Sequence, residues 1–388
     1  MKFFLPAVAV LTLALSSCIK EEALNAECDI TGVDSTWLAD NRDMLVGNPA
    51  VDNYYVVFSV KSGTDKTSLA PKFTLTPGAT LTMKQGGADV PANGQVRNFS
   101  TPQVYTAHSE DGHWVKNYTV AFNIPQPLGL CSFEHFQLVQ GRYKYYTWME
   151  VDSTDVENPF RPVWASGNGG FDILGMAKQP EDYPTTVDPL GVTGNCVKLV
   201  TKDTGGFGAI MGMPIAAGNI FIGAFDAKNA TTDALNATRF GLQIANGKPL
   251  TLSGYYKYKA GETFQDENKT AHPELHDTAD IYAVLYEVDP SHFVPLNGND
   301  VLSSDRIVML ARIANPGEPE DWQHFSEPFV TVNGKEFDTS RFWDNGYAIA
   351  VVATSSRQGA FFRGAVGSTL YVDEIKVEWD KALPATEN

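Results

Sequence analysis

The fold is decided by the stretch Leu250-Thr-Leu-Ser-Gly-Tyr-Tyr-Lys-Tyr-Lys259, which has the length of a strand and is rich in aromatic residues. Four later stretches have a similar length and are mostly β-branched or aromatic: 280–287, 305–312, 347–354 and 369–379. No amphipathic pattern longer than two helical turns interrupts them. Residues 131–380 are therefore predicted to be all-β, and strands joined by long loops over about 250 residues are typical of a two-sheet jelly roll.

The N-terminal part of the chain carries shorter strands. Alternation of apolar and polar residues predicts strands at 53–60, 72–76 and 114–122. Residues 104–118 predict a hairpin, because Glu110-Asp111-Gly112 supplies a turn whose glycine tolerates a positive φ. Two prolines within 124–128 remove backbone donors and stiffen the chain. We therefore place a domain boundary there, with a small all-β domain before it and the jelly roll after it.

Composition sets the class of protein. The 388 residues exceed one ordinary domain, and 43% hydrophobic with 19% charged residues is a globular composition. The chain has 29 basic and 46 acidic side chains, and its formal charge of -17 repels phosphate backbones. We therefore expect two folded domains and no nucleic-acid partner.

The N-terminus predicts export. Lys2 precedes the apolar run 3–15, which is too short to span a membrane and predicts a signal peptide over 1–17. Leu15-Ser16-Ser17-Cys18 resembles the bacterial lipobox, which implies a lipid on Cys18 and a tether over 18–28; a plain secretory peptide is the alternative. Ile19-Lys20-Glu21-Glu22 resembles the export signal of Bacteroidetes surface lipoproteins. Together these resemblances imply a lipid anchor in the outer membrane, with the protein facing the cell exterior.

Three further cysteines follow Cys18 in the chain: Cys28, Cys131 and Cys196. At most one disulfide can form among the three. They have no C-x-x-C spacing, so they predict no zinc site. We expect them to have structural roles.

Both domains resemble families of Bacteroidetes proteins. The 104–118 hairpin, with its Ser-Glu-Asp-Gly turn, resembles the immunoglobulin-like domain at the N-terminus of many surface lipoproteins. The order of strand motifs from Ser132-Phe-Glu134 to 367–377 resembles that of carbohydrate-binding jelly rolls. Four stretches resemble the Bacteroidetes putative carbohydrate metabolism domain more closely: Trp164-Ala-Ser-Gly-Asn-Gly-Gly-Phe171, Pro214-Ile-Ala-Ala-Gly-Asn-Ile-Phe-Ile-Gly223, Ser355-Ser-Arg-Gln-Gly359 and Gly364-Ala-Val-Gly-Ser-Thr-Leu-Tyr-Val-Asp-Glu374. The resemblance implies an immunoglobulin-like sandwich over 29–125, a larger jelly-roll β-sandwich over 131–380, and a role in carbohydrate metabolism.

A sugar site needs flat apolar faces for the C–H side of a pyranose ring and a few matched donors and acceptors. Trp164, Asn168 and Phe171 offer that mixture on one glycine-rich stretch, whose glycines allow the backbone to bend close to a ligand. We therefore predict Trp164 as the stacking platform. The alternative is a core tryptophan beside glycines that only turn the chain.

Tyrosines on two strands are predicted to extend this site. Tyr256 and Tyr258 alternate with Tyr255 and Lys257, so the two sets face opposite sides of the sheet. We predict that Tyr256, Tyr258 and, on a neighbouring strand, Tyr282 line an aromatic groove. Ordinary cross-strand packing is the alternative.

The resemblance to carbohydrate-binding jelly rolls also implies a metal. The positions that correspond to Glu134 and Asp373 often ligate a structural calcium there, together with backbone carbonyls. Calcium takes six to eight oxygen ligands, which two carboxylates and several carbonyls can supply. Two surface carboxylates on edge strands are the alternative. We expect no other cofactor, and calcium at this place would clamp the ends of the domain without a part in catalysis.

Binding is favoured over catalysis. Hydrolysis of a glycosidic bond takes two carboxylates roughly 5 to 10 Å apart, and no pair stands out in the sequence. We therefore predict an outer-membrane surface lipoprotein that binds a glycan or polysaccharide in carbohydrate capture or metabolism, with neighbouring glycan-uptake proteins as partners. A glycoside hydrolase or polysaccharide lyase that uses carboxylates in the same groove is the first alternative. An adhesive or structural surface lipoprotein is the second.

Overall fold

A computed structural model gives the fold of most of the chain. It describes residues 24–45, 49–51, 53–60, 64–123, 129–139, 144–151, 160–242, 245, 247–289, 292–343 and 345–380. The predicted signal peptide, the predicted lipidation site Cys18 and the predicted boundary at 124–128 lie outside these residues. Within them, no helix has the length and apolar character that crossing a membrane requires.

The N-terminal unit is a small β-sandwich. Its described elements are β1 (Ile30–Val33), α1 (Ser35–Asp40), a 3-10 helix (Arg42–Met44), β2 (Ala50–Val51), β3 (Tyr55–Ser59), β4 (Phe73–Leu75), β5 (Thr80–Gln85), β6 (Ala88–Pro91), β7 (Gln103–His108) and β8 (Val115–Asn123). A six-stranded sheet of order β2-β3-β8-β7-β5-β6 packs with the pair β1-β4. The predicted hairpin is confirmed, since β7 pairs antiparallel with β8 and Gly112 in the turn has a φ of 71°.

The C-terminal unit contains twenty-two described strands and four short helices, the longest of six residues. They are β9 (Leu130–Cys131), β10 (Phe136–Leu138), β11 (Tyr146–Trp148), β12 (Glu150–Val151), β13 (Phe160–Arg161), β14 (Trp164–Ala165), α2 (Asn168–Ile173), β15 (Thr185–Asp188), β16 (Cys196–Val200), β17 (Lys202–Asp203), α3 (Gly205–Ile210), β18 (Ile215–Ala216), β19 (Asn219–Phe225), α4 (Ala234–Ala237), β20 (Thr238–Phe240), β21 (Lys248–Lys259), β22 (Phe264–Gln265), β23 (Asp280–Glu287), β24 (Leu296–Asn297), β25 (Ile307–Arg312), β26 (Gln323–Pro328), β27 (Val330–Thr331), α5 (Thr339–Trp343), β28 (Tyr347–Thr354), β29 (Gly364–Ala365) and β30 (Thr369–Asp380). Two 3-10 helices, Pro180–Asp182 and Gly359–Phe361, complete the unit. The predicted all-β class is confirmed, and the five decisive stretches form β21, β23, β25, β28 and β30.

Two sheets stack to form the larger sandwich. One is an eight-stranded sheet of order β24-β20-β19-β28-β23-β25-β27, with β14 beside β19. The other is a six-stranded sheet of order β15-β16-β30-β21-β26, with β9 beside β30. Because side chains alternate along a strand, each sheet has one face toward the other sheet and one outer face.

The main core lies between the sheets. Ile281, Ala283 and Leu285 of β23 face the six-stranded sheet and are fully buried. Burial of a side chain such as Leu285 contributes about 1.5 to 3 kcal/mol, so replacing it by a charged residue would break this interface. The residues between them, Val284 and Tyr286, point to the other side of the sheet and build a second core beneath α4 and the surrounding loops.

The cysteines fit structural roles. Cys28, Cys131 and Cys196 are buried free thiols in the structure. Burial raises the pKa of Cys196 to about 12, so its thiol stays protonated and unreactive at neutral pH.

Candidate functional site

Trp164 lies in the core between the two sheets, where it is 6% exposed. It belongs to β14 and pairs with Ile222 of β19. Its indole Nε1 donates a hydrogen bond of 2.5 Å to Oε1 of Glu150, and its ring lies against Phe133. The prediction of a solvent-exposed stacking platform at Trp164 is therefore wrong, because this environment encloses the ring. Trp164 is a core tryptophan.

Asn168 is also structural. Its side chain is fully buried, donates to the carbonyl of Thr185 at 2.8 Å and accepts from the amide of Thr185 at 3.1 Å. The neighbouring glycines begin helix α2 instead of approaching a ligand. A Cβ on Gly170 would lie 3.1 Å from Cζ of Phe225, so glycine allows α2 to pack closely onto β19. The prediction of Asn168 as a sugar ligand is wrong for this reason.

The three predicted tyrosines do not form one groove. Tyr256 and Tyr258 point into the core between the sheets, where their hydroxyls donate to the carbonyls of Pro316 at 2.6 Å and Ser355 at 3.2 Å. Tyr282 points to the outer face of the eight-stranded sheet. The prediction of a shared aromatic groove is therefore wrong, since a whole sheet separates Tyr282 from the other two rings.

A cleft of about 400 Å³ opens on the outer face of the eight-stranded sheet. Two rows of side chains from β19, β28 and β23 form its floor: Phe221, Val352 and Tyr282 in one row, and Asn219, Thr354 and Asp280 in the next. Its walls come from α2, α4, the loop at 298–303 and the 3-10 helix at 359–361. Phe171 and Tyr282 line this cleft, although each has little exposed surface. Their role in ligand binding stays a prediction.

A compact charge cluster lies at the polar end of the cleft. Asp280 is 2% exposed, and its carboxylate accepts hydrogen bonds from Nε of Arg312 at 2.8 Å and from Nη2 at 2.6 Å. This hydrogen bonding raises the pKa of Arg312. Nε of Arg357 lies 3.7 Å from the same carboxylate. Because a bidentate arginine–carboxylate pair is strong and directional, Arg312 occupies both oxygens of Asp280, and neither oxygen is free to act as a nucleophile or base.

A second candidate surface covers the outer face of the six-stranded sheet. Three side chains lie directly opposite one another across β16, β30 and β21: Lys198, Tyr371 and Lys257. Trp322, which directly precedes β26, lies beside Lys257 and Tyr371. We call these four residues the lysine–aromatic row. All four are half-buried, and Nζ of Lys257 lies 4.7 Å from the ring centroids of both Trp322 and Tyr371. Neither ammonium forms a salt bridge with a described residue.

Sequence reasoning missed this row, although β21 carried a signal for it. The alternation defined one set with Tyr255 and Lys257 and another with Tyr256 and Tyr258, but the inner set was chosen as the binding set. Lysine is almost never fully buried without a partner, so the set that contains Lys257 had to be the outer one. Trp322 is different, because it directly precedes β26 and comes beside Lys257 only through the pairing of β26 with β21.

Glu134 and Asp373 lie close to the same loop. Glu134 accepts hydrogen bonds from the backbone and side-chain amides of Asn195, both at 2.8 Å. Asp373 accepts from the amide of Val192 at 2.7 Å, and burial raises its pKa to about 6. The described residues contain no group of three acidic, histidine or cysteine side chains that could hold a metal ion. The two carboxylates anchor loop 191–195 through hydrogen bonds, and calcium at this place stays a prediction.

Known proteins place these surfaces in context. Residues 132–378 match the family described as the putative carbohydrate metabolism domain. The chain belongs to this family. The carbohydrate metabolism domain contains both the cleft and the lysine–aromatic row. Residues 46–121 match a second family, the N-terminal domain of SGBP, an abbreviation for surface glycan-binding protein. A comparison with curated proteins gives no match.

Two solved structures share the architecture. One, described as a putative glycoside hydrolase from Bacteroides thetaiotaomicron, is 40% identical, with a TM-score of 0.80 over 93% of this chain and 99% of the other. A second, described as a putative glycoside hydrolase from Bacteroides vulgatus, is 35% identical, with a TM-score of 0.59 over 66% of this chain and 100% of the other. The protein is thus related to carbohydrate metabolism through both of its units.

Proposed function

We propose that the protein is an outer-membrane surface lipoprotein, anchored by a lipid on Cys18, that binds a glycan without cleaving it. The carbohydrate metabolism domain supports a glycan ligand, and the match to the SGBP N-terminal domain supports a place at the cell surface beside other glycan-uptake proteins. The proposal keeps the predicted function but moves the binding surface away from Trp164.

The lysine–aromatic row is the observation that carries this proposal. Neighbouring strands lie about 4.8 Å apart, so a row of four side chains that crosses three such spacings spans roughly 14 Å, the length of two to three sugar rings. Trp322 and Tyr371 offer apolar ring surface to the C–H side of a sugar, and the ammonium groups offer donors to its hydroxyl or carboxylate oxygens. Aromatic and hydrogen-bonding groups that alternate across a sheet face suit an extended saccharide chain.

The side chains that line the cleft do not favour glycoside hydrolysis. Glycosidases use two carboxylates roughly 5 to 10 Å apart, one of which is free to donate or accept a proton. Among the described residues that line the cleft, Asp280 supplies the one carboxylate, and Arg312 holds both of its oxygens. The hydrolase descriptions belong to the two similar structures, and this cleft does not supply the pair that such chemistry requires.

Binding to immobilised polysaccharides tests the proposal. We expect the purified protein to be retarded in affinity electrophoresis through gels that contain its polysaccharide. Trp322→Ala should weaken retention by about tenfold in Kd, which corresponds to about 1.4 kcal/mol, because one stacking surface is lost. Trp114→Ala is the matched control, since Trp114 is 49% exposed but lies on the N-terminal unit.

Two results would contradict the proposal. One is retention that Trp322→Ala and Lys257→Ala leave unchanged while both variants keep the wild-type melting temperature. The other is release of reducing ends from a bound polysaccharide by the wild-type protein. The second result would favour the glycoside hydrolase alternative over binding alone.

A further inference from the structure

The cleft on the eight-stranded sheet is more apolar than a sugar site needs to be. Six phenylalanines contribute to its lining, together with aliphatic side chains such as Val301 and Leu302: Phe171, Phe221, Phe225, Phe240, Phe361 and Phe362. Saccharides carry a hydroxyl on most carbons, and each hydroxyl that enters an apolar cavity without a partner is costly. An apolar molecular body, particularly an aromatic one, fits this lining better.

Most polar groups on the cleft floor are already satisfied by the protein. Oδ1 of Asn219 accepts from the amide of Gly167 at 2.8 Å, and its Nδ2 donates to a backbone carbonyl at 3.2 Å. Oγ1 of Thr354 donates to the carbonyl of Ser356 at 3.3 Å. The carboxylate of Asp280 is bound to Arg312. These groups therefore need few hydrogen bonds from a ligand.

Two donors in the cleft differ from the rest. Nε of Arg357 is buried and makes no hydrogen bond to a described residue, although it lies 3.7 Å from Oδ1 of Asp280. The Nη atoms of Arg357 donate to the carbonyls of Ile313 and Ala314 at 3.3 Å. The hydroxyl of Tyr282 also lacks a hydrogen-bond partner in the described part of the chain. Arginine always carries its charge, and a guanidinium Nε–H and a tyrosine hydroxyl can each donate a hydrogen bond to a carboxylate.

We infer that the cleft binds a small carboxylic acid with an apolar aromatic body. The body lies among the phenylalanines, and the carboxylate accepts hydrogen bonds from Nε of Arg357 and from the hydroxyl of Tyr282. This site is separate from the lysine–aromatic row, because the two surfaces lie on opposite outer faces of the sandwich. The inference goes beyond glycan binding and does not depend on it.

Titration calorimetry with two isosteric probes tests the inference. Naphthalene-2-carboxylate carries the charge, and 2-naphthamide has the same aromatic body without it. We expect the wild-type protein to bind the carboxylate at least tenfold more tightly than the amide. Arg357→Gln should remove that difference by weakening carboxylate binding about tenfold, and Tyr282→Phe should weaken it several-fold.

The matched control is Arg341→Gln. Arg341 pairs with Glu287 at the opposite end of β23 and does not line the cleft, so this variant should bind both probes as the wild type does. If Arg357→Gln does not fold, Tyr282→Phe still tests the predicted contact, because it removes one hydroxyl and leaves the ring in place.

Three results would overturn the inference: equal affinity of the wild type for both probes, no binding of either at millimolar concentration, or a discrimination that survives both cleft variants. Polysaccharide retention is measured on the same proteins, so that a failure of the carboxylic-acid site can be told apart from a failure of glycan binding. Arg357→Gln should retain polysaccharide normally. A protein that binds naphthalene-2-carboxylate but no polysaccharide would refute glycan binding alone.

Discussion

Glu150 is expected to make the stability of the C-terminal unit depend on pH. Desolvation by burial raises the pKa of its carboxyl group from 4.5 to about 7, although Nε1 of Trp164 donates to it. The folded state therefore holds a proton that the unfolded chain releases. Stability is present in full below about pH 4.5 and is lost as the pH rises toward about 7, and the loss amounts to about 3 kcal/mol.

The substitution Glu150→Gln isolates this effect. Glutamine keeps an oxygen that accepts the Trp164 hydrogen bond but cannot ionise, so the variant should be more stable than the wild type at pH 8. The difference in unfolding free energy between variant and wild type should grow by about 2 to 3 kcal/mol between pH 5 and pH 8. Urea unfolding followed by tryptophan fluorescence measures it. Glu336→Gln, at an exposed glutamate, is the matched control and should show no such growth. A Glu150→Gln variant that is less stable than the wild type at pH 8, or a difference that does not change with pH, would refute the reasoning.

Two further predictions concern residues that the structure places in new roles. Trp164→Phe removes the indole N–H that donates to the Glu150 carboxyl group, so the unfolding free energy should fall by about 1 to 3 kcal/mol. Polysaccharide retention should stay unchanged. A loss of retention by a fully folded variant would contradict the assignment of Trp164 to the core. If Glu134 and Asp373 hold calcium, adding calcium chloride after EDTA treatment should raise the melting temperature of the wild type but not that of Asp373→Asn. An unchanged wild-type melting temperature would reduce the pair to anchors of loop 191–195.

The fold could be predicted because its signals are local. The strand 280–287 and the strand 347–354 follow from runs of β-branched and aromatic residues, and the structure places β23 and β28 at those positions. Gly112 marks its hairpin in the same way, since a turn with positive φ favours glycine whatever surrounds it. The helix at 168–173 was harder to predict, because glycines are poor helix formers and only close packing onto Phe225 explains them.

The candidate site could not be predicted to the same degree, because it depends on which face of each sheet is inside. Tyr256 and Tyr282 both lie in strands that contain several tyrosines, yet one faces the main core and the other faces the cleft. Arg312 and Arg357 are 45 positions apart in the chain, and they approach Asp280 only because β23 lies between β25 and β28. Such contacts between distant side chains are determined by the order of strands in the sheet and not by spacing along the chain.

The two outer faces of the sandwich differ in shape for a physical reason, and that difference decides what each can bind. On the eight-stranded sheet, the large apolar side chains Val284 and Tyr286 lie on the outer face and are shielded from water. The helix α4 and the neighbouring loops fold over them and leave a recessed apolar cleft at one end. On the six-stranded sheet, Lys198 and Lys257 keep contact with water, so no helix covers the lysine–aromatic row and its side chains stay partly exposed. A partly exposed row that crosses several strands can contact a long polymer along its length, whereas a recessed cleft admits only a small molecule or the end of a chain. The division of ligands proposed above thus follows from which residues of β21 and β23 point outward.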